Sequence, residues 1–469
     1  MTLTYGVAVL ARPTFDVPFA EQMRDRAFAA LDAAGIVTHG SRALLFDRAA
    51  AESEVAAIAA AGPVDLLLIL QLTFTDATMT VKLARESSAP LAIWAVPEPR
   101  SGGRLRLNAY CGLNLAAHAL GLAGVAPAWL YADPQSDDIG ARLRALANPP
   151  EPRLSIAERI THGTSPAARE AAARVRAKLA DAGITVVGKH PDGFDTCEFD
   201  PETLHDLAGV RVSSLPLTSL FDRARAIDAA RVAEVRRGVA ADLDKLDDVD
   251  PQQLDRSMRV FCALQDVQRE SGARGLAVRC WPEMFTEYGC AACGPMAMMN
   301  ELRVPAACEA DVNGAFSQLM LQELADEPAW MADLVDISTA DNSAVLWHCG
   351  LAPLSMRDPE SPAQATIHTN RKMPLLHQFQ IKPGRVTLAR LSRARNQVKL
   401  VIGAAEVIRA PMAFTGCSGT VRFDRPAGDV GATIMAEGLE HHFSLAYGEH
   451  KPALRALALQ WDLPVLELC

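Results

Sequence analysis

Between residues 4 and 150, short apolar runs alternate with helical segments, and no other feature restricts the fold as strongly. Tyr5–Leu10, Val64–Leu70, Leu91–Trp94 and Val125–Leu130 are apolar runs of strand length. Around them lie mostly Ala-rich segments of helical spacing: Phe19–Ala33, which ends at Gly35, then Ala49–Ala61, Ala77–Glu86, Asn114–Leu122 and Ile139–Ala147. A strand that is apolar on both faces must be covered on both, so repeated βα units predict a parallel sheet between two helical layers. Ligands in such sheets sit beyond the carboxyl ends of the strands. The Gly-rich, polar loop Pro97–Gly112 occupies one such position. No GxGxxG or Walker pattern follows a strand, so a nucleotide cofactor is not expected.

Asn148-Pro149-Pro150-Glu151-Pro152 reads as a linker to a second α/β unit. Pro166–Ala182 has helical spacing, and Gly183 would supply its left-handed cap. Ile184–Gly188 reads as a strand opening into the turn-rich segment Lys189–Thr196. Long helices are expected over Ile227–Leu243 and Pro251–Ser271, then a strand over Gly275–Cys280. Beyond residue 355 the texture becomes β. Leu376–Ile381, Val386–Leu391, Gln397–Glu406 and Gly419–Phe423 are separated by turn residues. The chain closes on Leu439–Leu445, a helix over Pro452–Leu459 and a run Leu463–Leu468. The predicted class is α/β: two Rossmann-like parallel-sheet domains, 1–152 and 153–354, followed by a β-rich, barrel-like C-terminal domain, 355–469.

Composition removes several functions. With 469 residues, 49% of them apolar, the chain can fill several cores. A formal charge of -10 argues against nucleic acid or an anionic membrane as partner. No apolar run is long enough to span a bilayer, and the first residues lack the charged and apolar regions of a signal peptide. Ten cysteines in so long a chain read as small buried hydrophobes. Cys290-Ala291-Ala292-Cys293 has zinc or redox spacing, but no second CxxC completes a site.

The chemistry concentrates between Cys280 and Cys349. Val304–Cys308 is apolar and breaks into Glu309, Pro328–Ala332 into Asp333, and Ala344–Trp347 into His348. A carboxylate at the end of a buried strand is costly unless it pairs or binds a cation. Three such endings suggest strand ends converging on a hard-metal site, because carboxylate oxygen with imidazole nitrogen suits Mn or Mg. Three ordinary strand exits with solvated polar caps would read the same way. Val312, Phe316, Leu319, Met320 and Leu324 recur at helical spacing, so Glu309 lies just before a helix N-terminus.

The order Cys-Trp-Pro-Glu (280–283), Cys-Glu-Ala-Asp-Val-Asn-Gly (308–314), Met-Ala-Asp-Leu-Val-Asp (331–336), Trp-His-Cys-Gly (347–350) and a late Glu-His-His (440–442) resembles the L-fucose and L-arabinose isomerase family, above all its fucose-isomerase-like branch. The resemblance runs from residue 184 onward, and the N-terminal domain agrees in pattern. It implies a cytoplasmic aldose–ketose isomerase of sugars that assembles as a homotrimer or homohexamer and uses Mn²⁺ or another divalent cation such as Mg²⁺ or Co²⁺. Carried over residue by residue, it implies Glu309, Asp333 and His442 as metal ligands, with His348 a further candidate. Asp333 stands where the arabinose branch has glutamate, whereas His348 is an arabinose-branch feature.

Isomerisation moves one proton between adjacent carbons and another between their oxygens. Two carboxylates of separated acidity can do this through a cis-enediol while a metal polarises the oxygens. Glu309 and Asp333 are the candidate acid–base pair. Glu440 is a sequence neighbour that could hold the other nitrogen of His442. Candidates for substrate contact are Glu283, Trp281, His190, His441 and Trp347. All but His441 have a plainer alternative: Glu283 would order its loop, the tryptophans would pack, and His190 would be a solvated turn residue. Asp311 reads as a turn or helix-capping acid. Tyr110 and Asn114 follow a loop that could reach a neighbouring subunit's site. A non-catalytic sugar-binding protein, or a carbohydrate epimerase or lyase using the same metal, are the competing functions.

Overall fold

The computed structural model describes residues 2–149 and 157–469. Residues 150–152 of the expected linker, and the expected domain boundary there, lie outside the described residues. The first unit is an all-parallel sheet in the order Val37–His39, Thr4–Leu10, Leu66–Gln71, Leu91–Ala95, Ala128–Tyr131, with Leu44–Leu45 also on Thr4–Leu10. The two short edge strands, Val37–His39 and Leu44–Leu45, escape the sequence pattern because they carry only three and two residues. Asp16 and Asp47 cap their helices by accepting the N–H of Phe19 and Ala50.

The second unit is a smaller parallel sheet in the order Ala306–Ala307, Gly275–Val278, Gly183–Val187, Arg211–Leu215. Gly183 does not cap the preceding helix. That helix ends at Leu179, Asp181 takes the left-handed conformation (φ 64°), and Gly183 is already the first strand residue. A short polar side chain tolerates that conformation, so the turn needs no glycine.

The third sheet has ten strands, antiparallel in most pairings, and part of it closes on itself. In order around the ring, Cys417–Phe423, Ser343–His348, Trp330–Ser338, His442–Tyr447, Gly384–Ser392 and Lys399–Ile408 pair in turn, and the last returns to the first. Closure leaves these strands no open edge. Trp330–Ser338 and Ser343–His348, expected in the second unit, are therefore ring strands. The helix Ala427–Glu437 was not foreseen. Among the described residues no helix is long and apolar enough to cross a membrane.

Candidate active site

Asp333 does not end a strand, as its apolar run suggested. It is the fourth residue of Trp330–Ser338, directly opposite Trp347 on one neighbouring strand and His442 on the other. Directly opposed residues of an antiparallel pair share a face, so this register brings the carboxylate and the imidazole together. Asp333 Oδ1 lies 3.3 Å from His442 Nε2. It is also buried without a hydrogen-bond partner.

Glu309 arrives from the second unit. After the two-residue strand Ala306–Ala307 the chain makes a tight turn, and Glu309 and Ala310 both take left-handed backbone (φ 59° and 55°). Each costs on the order of 1–2 kcal/mol for a side-chain-bearing residue. The turn aims the Glu309 carboxylate at the ring, where Oε2 meets His441 Nε2 at 3.1 Å and His442 Nε2 at 3.7 Å. The indole N–H of Trp281 donates to Oε1 at 3.2 Å. Cys197 stands 3.8 Å from Oε2.

Asp311 sits behind His442. One oxygen caps the helix Val312–Ala325 by accepting the N–H of Gly314 at 2.8 Å. The other accepts from His442 Nδ1 at 2.9 Å and from the buried guanidinium of Arg390. His442 Nδ1 therefore carries the ring proton, and the Nε2 lone pair faces Glu309 and Asp333. Asp311, not Glu440, orients this histidine; Glu440 instead accepts the N–H of Arg393. His348 is arranged the other way round. Its Nδ1 accepts the N–H of Cys349 at 2.9 Å, which leaves Nε2–H as a donor.

Burial acts on all four ionisable groups. It would raise Glu309, but the hydrogen bond and charge of His441, with His442 and Trp281, outweigh it and hold the acid at about 2. Burial pushes Asp333 up to about 6, against the pull of His442 and His441. His442 is held below its ordinary value by burial and then by His441. Burial would also lower His441, yet Glu309 keeps it above its ordinary value. The result is two carboxylates of separated acidity around a neutral imidazole. Glu309 and Asp333 each present a carboxylate oxygen to His442 Nε2, and around that nitrogen Glu309 groups with His441 and Asp333 with His348 as possible donors to a cation. The partnerless oxygen of Asp333 and the outward lone pair of His442 fit a hard divalent metal.

A cleft opens over these groups. Of the expected contact residues, Trp281, Trp347 and His441 line it together with Glu309, Asp333 and His348. Glu283 does not line it, because Arg279 holds its carboxylate in a two-pronged ion pair at 2.6 and 2.7 Å. His190 does not line it either, its Nδ1 lying on the Pro191 carbonyl at 3.1 Å. The same loop instead buries Phe194 edge-on against Trp281 and His441. The N-terminal domain closes the cleft within the same chain through Arg12, Phe15, Phe74, Leu105 and Asn108. Tyr110 and Asn114 do not line it. Tyr110 packs on Tyr131, and Asn114 donates to the Leu439 carbonyl. Arg12, Arg371, Arg390 and His368 were missed, and nothing in their local sequence marks them. Cys290 and Cys293 form no joint site: Cys293 faces Cys349 and Cys280 faces Cys308.

The family model described as fucose/sulfoquinovose isomerase, N-terminal domain, matches residues 6–148. The sulfoquinovose isomerase of Clostridium sp. (strain MSTE9) is 30% identical over 398 residues, 84% of this chain and 84% of that protein. Sulfoquinovose isomerases of Alkalicoccus urumqiensis and Priestia megaterium are each 29% identical, covering 87% and 82% of this chain and 86% and 81% of theirs. The paired α/β units and the closed barrel carry an aldose–ketose isomerase of sugars. The chain belongs to the fucose/sulfoquinovose isomerase family. The non-catalytic sugar-binding alternative and the epimerase or lyase alternative give way to this class.

Proposed function

We propose that the protein interconverts a sulfonated aldose, sulfoquinovose or a close analogue, with its ketose, using a divalent cation and the pair Glu309 and Asp333. The substrate class rests on relatives named for sulfoquinovose that align over more than four-fifths of the chain. The chemistry rests on one observation: two buried carboxylates face the same free nitrogen of His442, at 3.7 and 3.3 Å, on the floor of a cleft.

Glu309, Asp333 and His442 would hold the cation, Mn²⁺ by family resemblance or else Mg²⁺ or Co²⁺. Bound there, it would supply Lewis-acid polarisation of the substrate's adjacent carbonyl and hydroxyl oxygens. Glu309, kept ionised by His441 and Trp281, is suited to take the proton from the carbon beside the carbonyl. The electron pair left behind forms the carbon–carbon double bond of a cis-enediol, and the carbonyl oxygen is protonated. Asp333, whose acidity lies closer to neutrality, is suited to move protons between the two oxygens. Return of the first proton to the former carbonyl carbon, with loss of a proton from the neighbouring hydroxyl, completes the ketose. His348 Nε2–H would donate to a substrate oxygen. Phe194, Trp281 and Trp347 exclude water from this floor.

Assembly as a trimer or hexamer belongs to the same reading, and light scattering checks it. The reaction is tested by incubating chelated and Mn²⁺-reloaded protein with sulfoquinovose and following the anomeric region by NMR. Ketose forming only after reloading is expected. Equal turnover in the chelated protein would remove the metal from the mechanism.

A further inference from the structure

The cleft holds a charge that the acid–base chemistry does not use. Arg371 lines it, and among the described residues its guanidinium meets no carboxylate. It lies instead over two aromatic rings, 4.9 Å from the centre of Trp281 and 5.2 Å from that of Phe285. Arg12, from the N-terminal domain, lies over the same indole at 4.9 Å and is held by Asp76 at 2.5 Å. Burial, and then the like charge of Arg12, lower the pKa of Arg371 below its ordinary value. An uncompensated cation in a partly desolvated site is costly, and a second cation beside it adds to the cost. In a chain of net charge -10 such a charge persists most readily where a ligand brings the anion.

The surroundings favour an anion as well. His368 lines the cleft and its Nδ1 accepts the N–H groups of Asn370 and Arg371 at 3.2 and 3.3 Å, so its Nε2 carries a proton. Burial holds this imidazole down to about 3, which keeps it neutral and a donor. Asn370, also in the wall, accepts from Arg104 through Oδ1 at 2.7 Å, and its amide N–H groups remain to donate. Trp281 joins this end of the cleft to the reacting end, because the indole that carries both guanidiniums also donates to Glu309.

We propose that Arg371, flanked by Arg12, binds the sulfonate of the substrate and sets the preference for sulfonated over neutral hexoses. The proposal rests on the sulfonated-sugar reading above. Guanidinium suits such an anion because its planar fork can donate two hydrogen bonds to two oxygens. The test uses the Mn²⁺-loaded, full-length protein and two probes: sulfoquinovose and 6-deoxyglucose, which lacks the sulfonate. The quantity read is the ratio of kcat/KM for the two sugars, with sulfoquinovose binding to the metal-free protein followed by calorimetry. Arg371→Met should lower the ratio on the order of 10- to 100-fold and weaken calorimetric binding by a similar factor. Arg371→Lys, which keeps the charge, should recover part of both, and it replaces the methionine variant if that does not fold. A wild-type preference retained in full by these variants overturns the assignment of Arg371 alone. A wild-type protein with no preference for sulfoquinovose overturns the assignment and the substrate reading together.

Discussion

Asp311 accepts the Nδ1 proton of His442 at 2.9 Å, and this contact decides which nitrogen of the imidazole faces Glu309 and Asp333. The same carboxylate binds the buried guanidinium of Arg390 and caps the helix Val312–Ala325. One acid therefore joins the helix, the barrel strand Gly384–Ser392 and the candidate metal ligand.

Asp311→Asn should keep the shape of the cap but lose the charge that fixes His442. Mn²⁺ affinity is expected to fall about 10- to 100-fold, with excess Mn²⁺ restoring most of the activity. Titration calorimetry checks the first effect and steady-state rates at two metal concentrations the second. Asp311→Ala should do worse, because it strands Arg390 in the interior at a cost of about 3–5 kcal/mol. Thermal melts of the two variants would separate the effects.

Gly314 lies against this acid. A methyl group there would approach Asp311 Oδ2 at 2.7 Å and the Met331 sulfur at 2.5 Å. Gly314→Ala should cost about 1–3 kcal/mol of stability through overpacking. It should also weaken metal binding, although residue 314 offers no ligand atom. A melting temperature and Mn²⁺ affinity equal to wild type would show that the contact relaxes without consequence.

Glu309→Gln and Asp333→Asn should each slow turnover on the order of 10²–10⁴-fold. In D₂O the wild-type product should carry deuterium on the carbon adjacent to the ketose carbonyl, because a proton held on a carboxylate can exchange before it returns. A product without deuterium, combined with near-normal rates in both carboxamide variants, would eliminate the proposed roles.

The two acids should also give the metal-free protein opposite pH responses. Asp333, pushed up to about 6 mainly by burial, binds its proton more tightly folded than unfolded. Its contribution to stability is complete below the ordinary carboxylate value of 3.8 and is lost as pH rises through about 6. Glu309, held at about 2 by its histidine partners despite burial, contributes stability above its ordinary value of 4.5 that is lost as pH falls through about 2. A cation must displace the Asp333 proton, so Mn²⁺ affinity should rise with pH up to about 6 and level off above it. Melting temperatures with Mn²⁺ and with EDTA, measured at pH 5 and pH 7, should differ more at pH 7.

The alternating βα units, most helix limits and the carboxylates of the central stretch were legible in the sequence, because period, caps and strand-length runs are local properties. The helix Pro251–Ser271 has the limits its pattern predicts, and Glu309 sits before its helix as expected. The family motifs also mark Asp333 and His442, yet they are silent on how the two meet. That meeting depends on strand register: Asp333 lies inside a strand, and its partner across the ladder is 109 positions later in the chain. Ring closure assigns Trp330–Ser338 and Ser343–His348 to the barrel, although their local pattern matches that of the preceding unit. Glu283 and His190 have polar side chains in the expected places, but Arg279 and the Pro191 carbonyl hold them outside the cleft. Arg12 and Arg371 are ordinary arginines until folding sets both on the indole of Trp281. Pairing register, closure and the direction of a side chain are settled by contacts between distant segments, and a linear pattern carries no information about which distant segments meet.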